Sequence, residues 1–197
     1  MWVAEYRALH PRVIYKMITL KPINDGVIDE FCRKVKQTRD VGIVRCNINE
    51  LIPALDGFVN GGLQSQFNVD LTTLVDNFIK TEGLIPLKNS WFEVNEETAT
   101  WVLECILSQD LAYNAPLPSK DKARYFTRQL ITLVKSSNAG ERIRFFTNGK
   151  AVPGPAMYDL TMRHMNGWNP ATEATFDSGV VIVSRNRIGM IWVADED

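Results

Sequence analysis

Only two side chains in the sequence titrate near neutral pH without help, His10 and His164. His164 stands five residues after Asp159 and directly after Arg163, in a segment rich in polar and aromatic groups that runs to Trp168. An imidazole beside a carboxylate is the pairing that general acid–base catalysis uses, so His164 with Asp159 is the candidate catalytic pair. The competing reading asks less of the surroundings: a histidine partly covering a sheet, with its ring hydrogen-bonded to backbone. His10 precedes Pro11 in a turn and is read as structural. The chain has no GxSxG elbow, no GxxxxGK[ST] loop, no GxGxxG and no HExxH. The balance therefore leans toward a protein that is not an enzyme.

Cys32, Cys46 and Cys105 are odd in number, far apart in sequence and never in a CxxC pair. They are read as buried free thiols, and with two histidines the chain offers no zinc ligand cluster, so neither a metal nor a cofactor is expected. Asp195, Glu196 and Asp197 end the chain as a carboxylate run, read as a solvated end in preference to a metal or basic-partner contact. Among the five tryptophans, Trp101 on a helix and Trp192 in an apolar strand read as core. Trp168, between Gly167 and Asn169-Pro170, is the one suited to display on a loop as a binding contact, with Arg163 beside it in the candidate site.

Charge supplies a second candidate. The net charge of -1 hides segregation: residues 1–39 hold eight basic and four acidic groups, and residues 40–118 three basic and eleven acidic. Residues 119–163 hold nine basic and three acidic groups. The acidic middle, with Asp56, Asp70, Asp76, Glu82, Glu93, Glu96 and Glu97, offers a face for a basic partner or neutralises the basic segments internally. In the basic segment 119–146, Lys120, Lys122, Arg124, Arg128 and Lys135 lie on one helix, followed by a strand with Arg142, Arg144 and the aromatic Phe146. Cations that neutralise phosphates beside an aromatic that stacks on bases describe a nucleic-acid surface. The pI of about 6.2 lacks the basic excess of a dedicated nucleic-acid binder.

These groups need elements to position them. Alternation in Trp2, Ala4, Tyr6 and Ala8 and β-formers from Val13 to Leu20 predict a strand pair. Asn24 or Asp25 caps a helix with Val27, Ile28, Phe31 and Val35 at helical spacing, followed by a short strand over 41–45. Pro53 leaves 47–60 ambiguous. Asn68 caps a helix burying Leu71, Leu74, Val75 and Phe78, and Asn95 one burying Val102, Leu103, Ile106 and Leu107. Ser119 caps a third, with Ala123, Phe126, Leu130, Leu133 and Val134 inward. Residues 142–145 read as a half-buried strand, 156–165 as a short helix and 166–170 as a loop. Residues 179–184 and 188–194 are apolar on both alternating faces, the pattern of a hairpin in the middle of a sheet.

The order of elements implies an α+β fold: a central, largely antiparallel sheet that includes N-terminal strands and the C-terminal hairpin, covered by about four helices. One domain spans 1–197, with a two-lobed arrangement and a helical middle at 47–138 as the variant. The longest uncharged runs fall far short of the ~20 residues of a membrane helix, and Met1–Arg7 lacks a signal peptide's basic start, so a cytoplasmic, soluble protein with no membrane contact is expected. The leading functional expectation is a non-enzymatic intracellular binding protein, a complex subunit or inhibitor that recognises a protein partner through a charged surface. Nucleic-acid binding by 119–146 and catalysis by His164 and Asp159 are the alternatives. A hairpin left uncovered on one face would itself be a subunit interface.

Overall fold

The computed structural model describes residues 18–53, 71–113, 115–117, 120–135, 143–151 and 165–196. Its elements run β1 (Ile18–Pro22), α1 (Gly26–Lys36), β2 (Ile43–Pro53), α2 (Leu71–Thr81), a 3-10 turn (Lys88–Ser90), β3 (Phe92–Val94) and α3 (Glu96–Ser108). α4 (Lys120–Val134), β4 (Arg144–Thr147), β5 (Gly149–Ala151), β6 (Met165–Trp168), β7 (Phe176–Val183) and β8 (Arg187–Asp195) complete the series. Six strands form one sheet in the order β1-β2-β8-β7-β4-β3 with every pairing antiparallel, and β5 and β6 form a separate two-stranded ladder. The fold is mixed α+β, with four α-helices among the described residues.

The apolar hairpin β7-β8 lies at the centre of the sheet, and its alternation explains why both of its faces are apolar. Val180, Ile182, Ile191 and Val193 turn to one side, where they meet Phe31 of α1, Leu103 and Ile106 of α3, and Phe126 and Leu130 of α4. Val181, Val183, Ile188, Met190 and Trp192 turn to the other, against Leu74, Val75, Phe78 and Ile79 of α2 and the loop residues Leu84 and Leu87. Both faces of the hairpin are thus covered by this chain itself. Each such Ile, Leu or Phe removed from water contributes about 1.5–3 kcal/mol before entropy is counted.

Local chemistry sets the helix ends. The Asp25 carboxylate accepts from the Val27 amide at 2.8 Å, and Arg33, Lys34 and Lys36 fill the last turn of α1, complementing its dipole. Asn95 Oδ1 accepts from the Thr98 amide at 2.8 Å and starts α3. Asn68 and Ser119 lie outside the described residues, as do 1–17 and 54–70.

Three local expectations change. β2 continues well past Arg45 to Pro53, although Asn47 and Asn49 are poor strand formers, because it is hydrogen-bonded to β8 on one side and β1 on the other. Pro53 is tolerated at the strand end, opposite Ile18. β4 is buried on both faces: Phe145 joins the core under α3 and α4, and Phe146 the core under α2. Met165 and residues 166–168 form strand β6 because they pair with β5, with Trp168 opposite Gly149; the remainder of the expected helix, 156–164, lies outside the described residues.

Two buried carboxylates tie the loops down. Asp177 accepts from the Ala171 amide at 2.8 Å and from Asn148 Nδ2 at 2.9 Å, holding the 169–172 segment against the sheet. Burial pushes its ionisation above the ordinary aspartate range, offset in part by the bonds from Thr172 and Ala171. The folded state therefore binds a proton that the unfolded chain has already released, and this contribution to stability is full below the ordinary aspartate range and is lost as pH rises through the raised value. Unfolding by urea at a series of pH values should show that slope in the wild type and a flatter profile in Asp177→Asn. Equal slopes would remove Asp177 as its source.

Asp195 overturns the expectation of a solvated carboxylate end. Its side chain is buried and its Oδ2 accepts from Arg39 Nη2 at 2.5 Å and from the Leu111 amide at 2.7 Å. Arg39 Nη1 also donates to the carbonyls of Ile106 and Gln109, so one guanidinium joins the end of α1, the end of α3 and the end of β8. Glu196 remains exposed, and Asp197 lies outside the described residues.

Candidate functional site

α4 lies between α1 and α3 over one face of the sheet, and its burial pattern leaves a broad outer arc in solvent. Ala123, Phe126, Thr127, Leu130, Ile131 and Val134 face inward. Lys120, Arg124 and Arg128 follow at four-residue spacing, which stacks them along one side of the helix, and Lys135 continues the row beyond the last turn. Lys120, Lys122, Arg128 and Lys135 are exposed, and none of them is in a salt bridge among the described residues. Arg124 is held loosely by Glu104 of α3 at 3.5 Å, with 39% of its side chain exposed. Asp121 is the one acidic residue of the helix. Tyr125 is 57% exposed on the same arc, its ring braced edge-on by Phe126 at 5.3 Å, which in turn packs on Phe31 of α1 at 6.0 Å.

The neighbouring surface of α1 is largely self-compensated. Glu30 accepts from Arg33 at 2.7 Å and Lys34 at 3.2 Å, and these two cations lower its ionisation to about 2.

Among the described residues, several acids of the middle segment are engaged within the chain. Asp76 accepts from the amides of Leu87 and Lys88 and from Trp91 Nε1 at 2.8–3.0 Å, pinning the loop after α2. Glu82 accepts from Asn47, Glu93 makes a two-pronged pair with Arg144, and Asp110 accepts from the amides of Ala112 and Tyr113. Of the acidic residues singled out, Glu96 and Glu97 are the described ones left for solvent, in the first turn of α3. Asp56 and Asp70 lie outside the described residues.

The combined helix-and-strand surface expected for nucleic acid is also divided. Arg144 lies over the ring of Phe146, on the side of the sheet that packs against α2, whereas α4 covers the opposite side. Glu93 holds Arg144 and raises its ionisation above the ordinary arginine range, and Phe146 is buried, so no base can stack on it. Arg142, Arg163, Asp159, His164 and His10 fall outside the described residues. Trp168 is 39% exposed on β6, with its ring tilted on Phe176 at 5.8 Å, so it is displayed from a strand end and not from a free loop. Among the described residues no group of three or more His, Cys, Asp or Glu is placed to hold a metal ion, and no helix is long and apolar enough to cross a membrane.

Two constellations were hidden from the sequence reading. One is the Arg39–Asp195 pair, joined across 156 positions. The other is a contact between Cys32 of α1 and Cys46 of β2. The only trace of the latter was that both cysteines fall on the inward faces of successive elements. No protein-family model, no curated protein and no solved structure matches this chain, so its function has to be argued from the geometry of its own residues.

Proposed function

We propose that the protein is a non-enzymatic binding protein of the cytoplasm, a complex subunit or inhibitor, that recognises an acidic surface of a protein partner through the outer arc of α4. The observation that carries this reading is the exposed row Lys120, Arg128 and Lys135, in no ion pair among the described residues, with Arg124 and Tyr125 beside it on the outer arc of one helix. Complementary charge of this kind speeds encounter and rejects wrong partners, and a braced tyrosine supplies contact area at low entropic cost. A protein partner is favoured over nucleic acid because the basic row is one helix long, Arg144 and Phe146 are on the far side of the sheet, and the pI is about 6.2.

The test compares the wild type with Lys120→Glu/Arg128→Glu/Lys135→Glu. Both are tagged and recovered from the protein's own source, with and without nuclease. The three positions are exposed and make no ion pair among the described residues, so the melting temperature should stay within about 2 °C. A partner that survives nuclease should bind the variant at least about tenfold more weakly, with a flatter dependence on salt. Equal binding of that partner by both forms would overturn the reading. Loss of every partner on nuclease treatment would transfer α4 to nucleic acid.

A further inference from the structure

Beside β1, α1 and β2 border an open cleft of about 480 Å³ lined by Pro22, Ile28, Cys32, Lys36, Cys46 and Glu82, among others. Its wall carries two thiols in contact, with Cys46 Sγ donating to Cys32 Sγ at 3.3 Å. Their environments differ. Cys46 is 2% exposed in the core under α1, whereas Cys32, one turn before Lys36, is only partly covered. We infer that Cys32 and Cys46 form a dithiol exchange site that takes a low-molecular-weight disulfide, Cys32 being the entering nucleophile and Cys46 the resolving thiol. This inference is independent of the α4 surface.

Three features argue for it. First, the sulfurs need to approach by only about 1.3 Å to reach the ~2.05 Å of a disulfide bond. They are carried by successive elements, Cys32 on α1 and Cys46 on β2. Second, the less buried of the two thiols is the more acidic. The Cys46 hydrogen bond and the Lys36 ammonium lower the ionisation of Cys32, against burial and the carboxylates of Asp29 and Glu82. Burial pushes Cys46 up, so it stays protonated until it is needed. Third, the cleft is larger than a peroxide or a water needs, and it presents charges of both signs, from Arg33, Lys36, Asp29 and Glu82. That suits a small zwitterionic peptide disulfide.

The chemistry balances without a further reactant. The Cys32 thiolate attacks one sulfur of R–S–S–R, forming a mixed disulfide and releasing RS⁻. Cys46 then attacks Cys32 Sγ, the mixed disulfide breaks and a second RS⁻ leaves. The two protein thiols are oxidised by two electrons, and their two protons end on the departing thiolates as two RSH.

The folded wild-type chain is incubated with glutathione disulfide as the probe and followed by intact mass and peptide mapping. The expected product has lost two hydrogens, with Cys32 linked to Cys46 and Cys105 unmodified. Cys46→Ala should stop with one glutathionyl group on Cys32, Cys32→Ala should remain reduced, and Lys36→Gln should slow the first step about two- to fivefold. Unchanged wild-type mass under conditions that oxidise a free-cysteine control, or a link involving Cys105, would overturn the inference. Should Cys46→Ala fail to fold, the wild-type product and the Lys36→Gln rate still decide it.

Discussion

Replacing Asp195 by alanine is expected to destabilise the protein by about 3–5 kcal/mol, because it strands a guanidinium that has no exposed atoms to rehydrate. The Arg39 side chain is fully buried and that of Asp195 is 3% exposed. Burial pulls the ionisation of Arg39 below its ordinary value, and Asp195, followed by Asp110 and Asp40, opposes that pull. Removing the carboxylate also orphans the Leu111 amide. The pair is a weak source of net stability but an expensive one to halve, so the double variant Arg39→Met/Asp195→Leu should recover most of the loss. Urea unfolding with a shared m-value measures both. A single-variant cost under about 1 kcal/mol would mean that water reaches the guanidinium.

The second large effect is expected at Trp192. Its ring is completely buried, lies over Gly179 and meets Trp91 edge-on at 6.0 Å and 84°. Gly179 is a requirement of this packing, since a Cβ there would stand 2.3 Å from the indole. Trp192→Ala should cost about 3–5 kcal/mol, as a large buried ring is lost and the strands of a hydrogen-bonded sheet cannot collapse into the void. Trp192→Phe should cost clearly less. A double-mutant cycle with Trp91→Ala should return a coupling of about 0.5–1.5 kcal/mol, and a coupling of zero would show that the edge-on contact adds nothing to area burial.

What the sequence revealed followed from how local each signal was. Asp25 and Asn95 announced their helices because a cap is read within three residues. Val180–Val183 and Ile188–Ala194 announced a central hairpin because apolar residues on both alternating faces need cover on both sides. β2 was cut short because Pro53 leaves 47–60 ambiguous in sequence, and only β1 and β8 on either side show that the strand runs on to it. The charge blocks left a partner face and internal neutralisation equally open for the same reason. The sequence counted Glu93 and Arg144 in opposing segments, and the antiparallel pairing of β3 with β4 brings them together. Lys120, Arg124 and Arg128 were legible because a helix's outer arc is a property of its own repeat. Cys32 and Cys46 were not, because nothing in a sequence states the angle at which a helix crosses a strand.

The strand order also governs timing. β8 is the last described strand along the chain, yet it occupies the middle of the sheet and joins β1-β2 to β7-β4-β3. Until it arrives, β2 presents an unpaired edge, and the helices α1, α2, α3 and α4 have no complete surface to rest on. Assembly is consequently a late and concerted event that depends on pairings distant in sequence, which slows folding and lengthens the interval during which apolar strands are open to wrong partners. Arg39 and Asp195 mark that step: the salt bridge between the segment after α1 and the end of β8 cannot form before β8 has arrived.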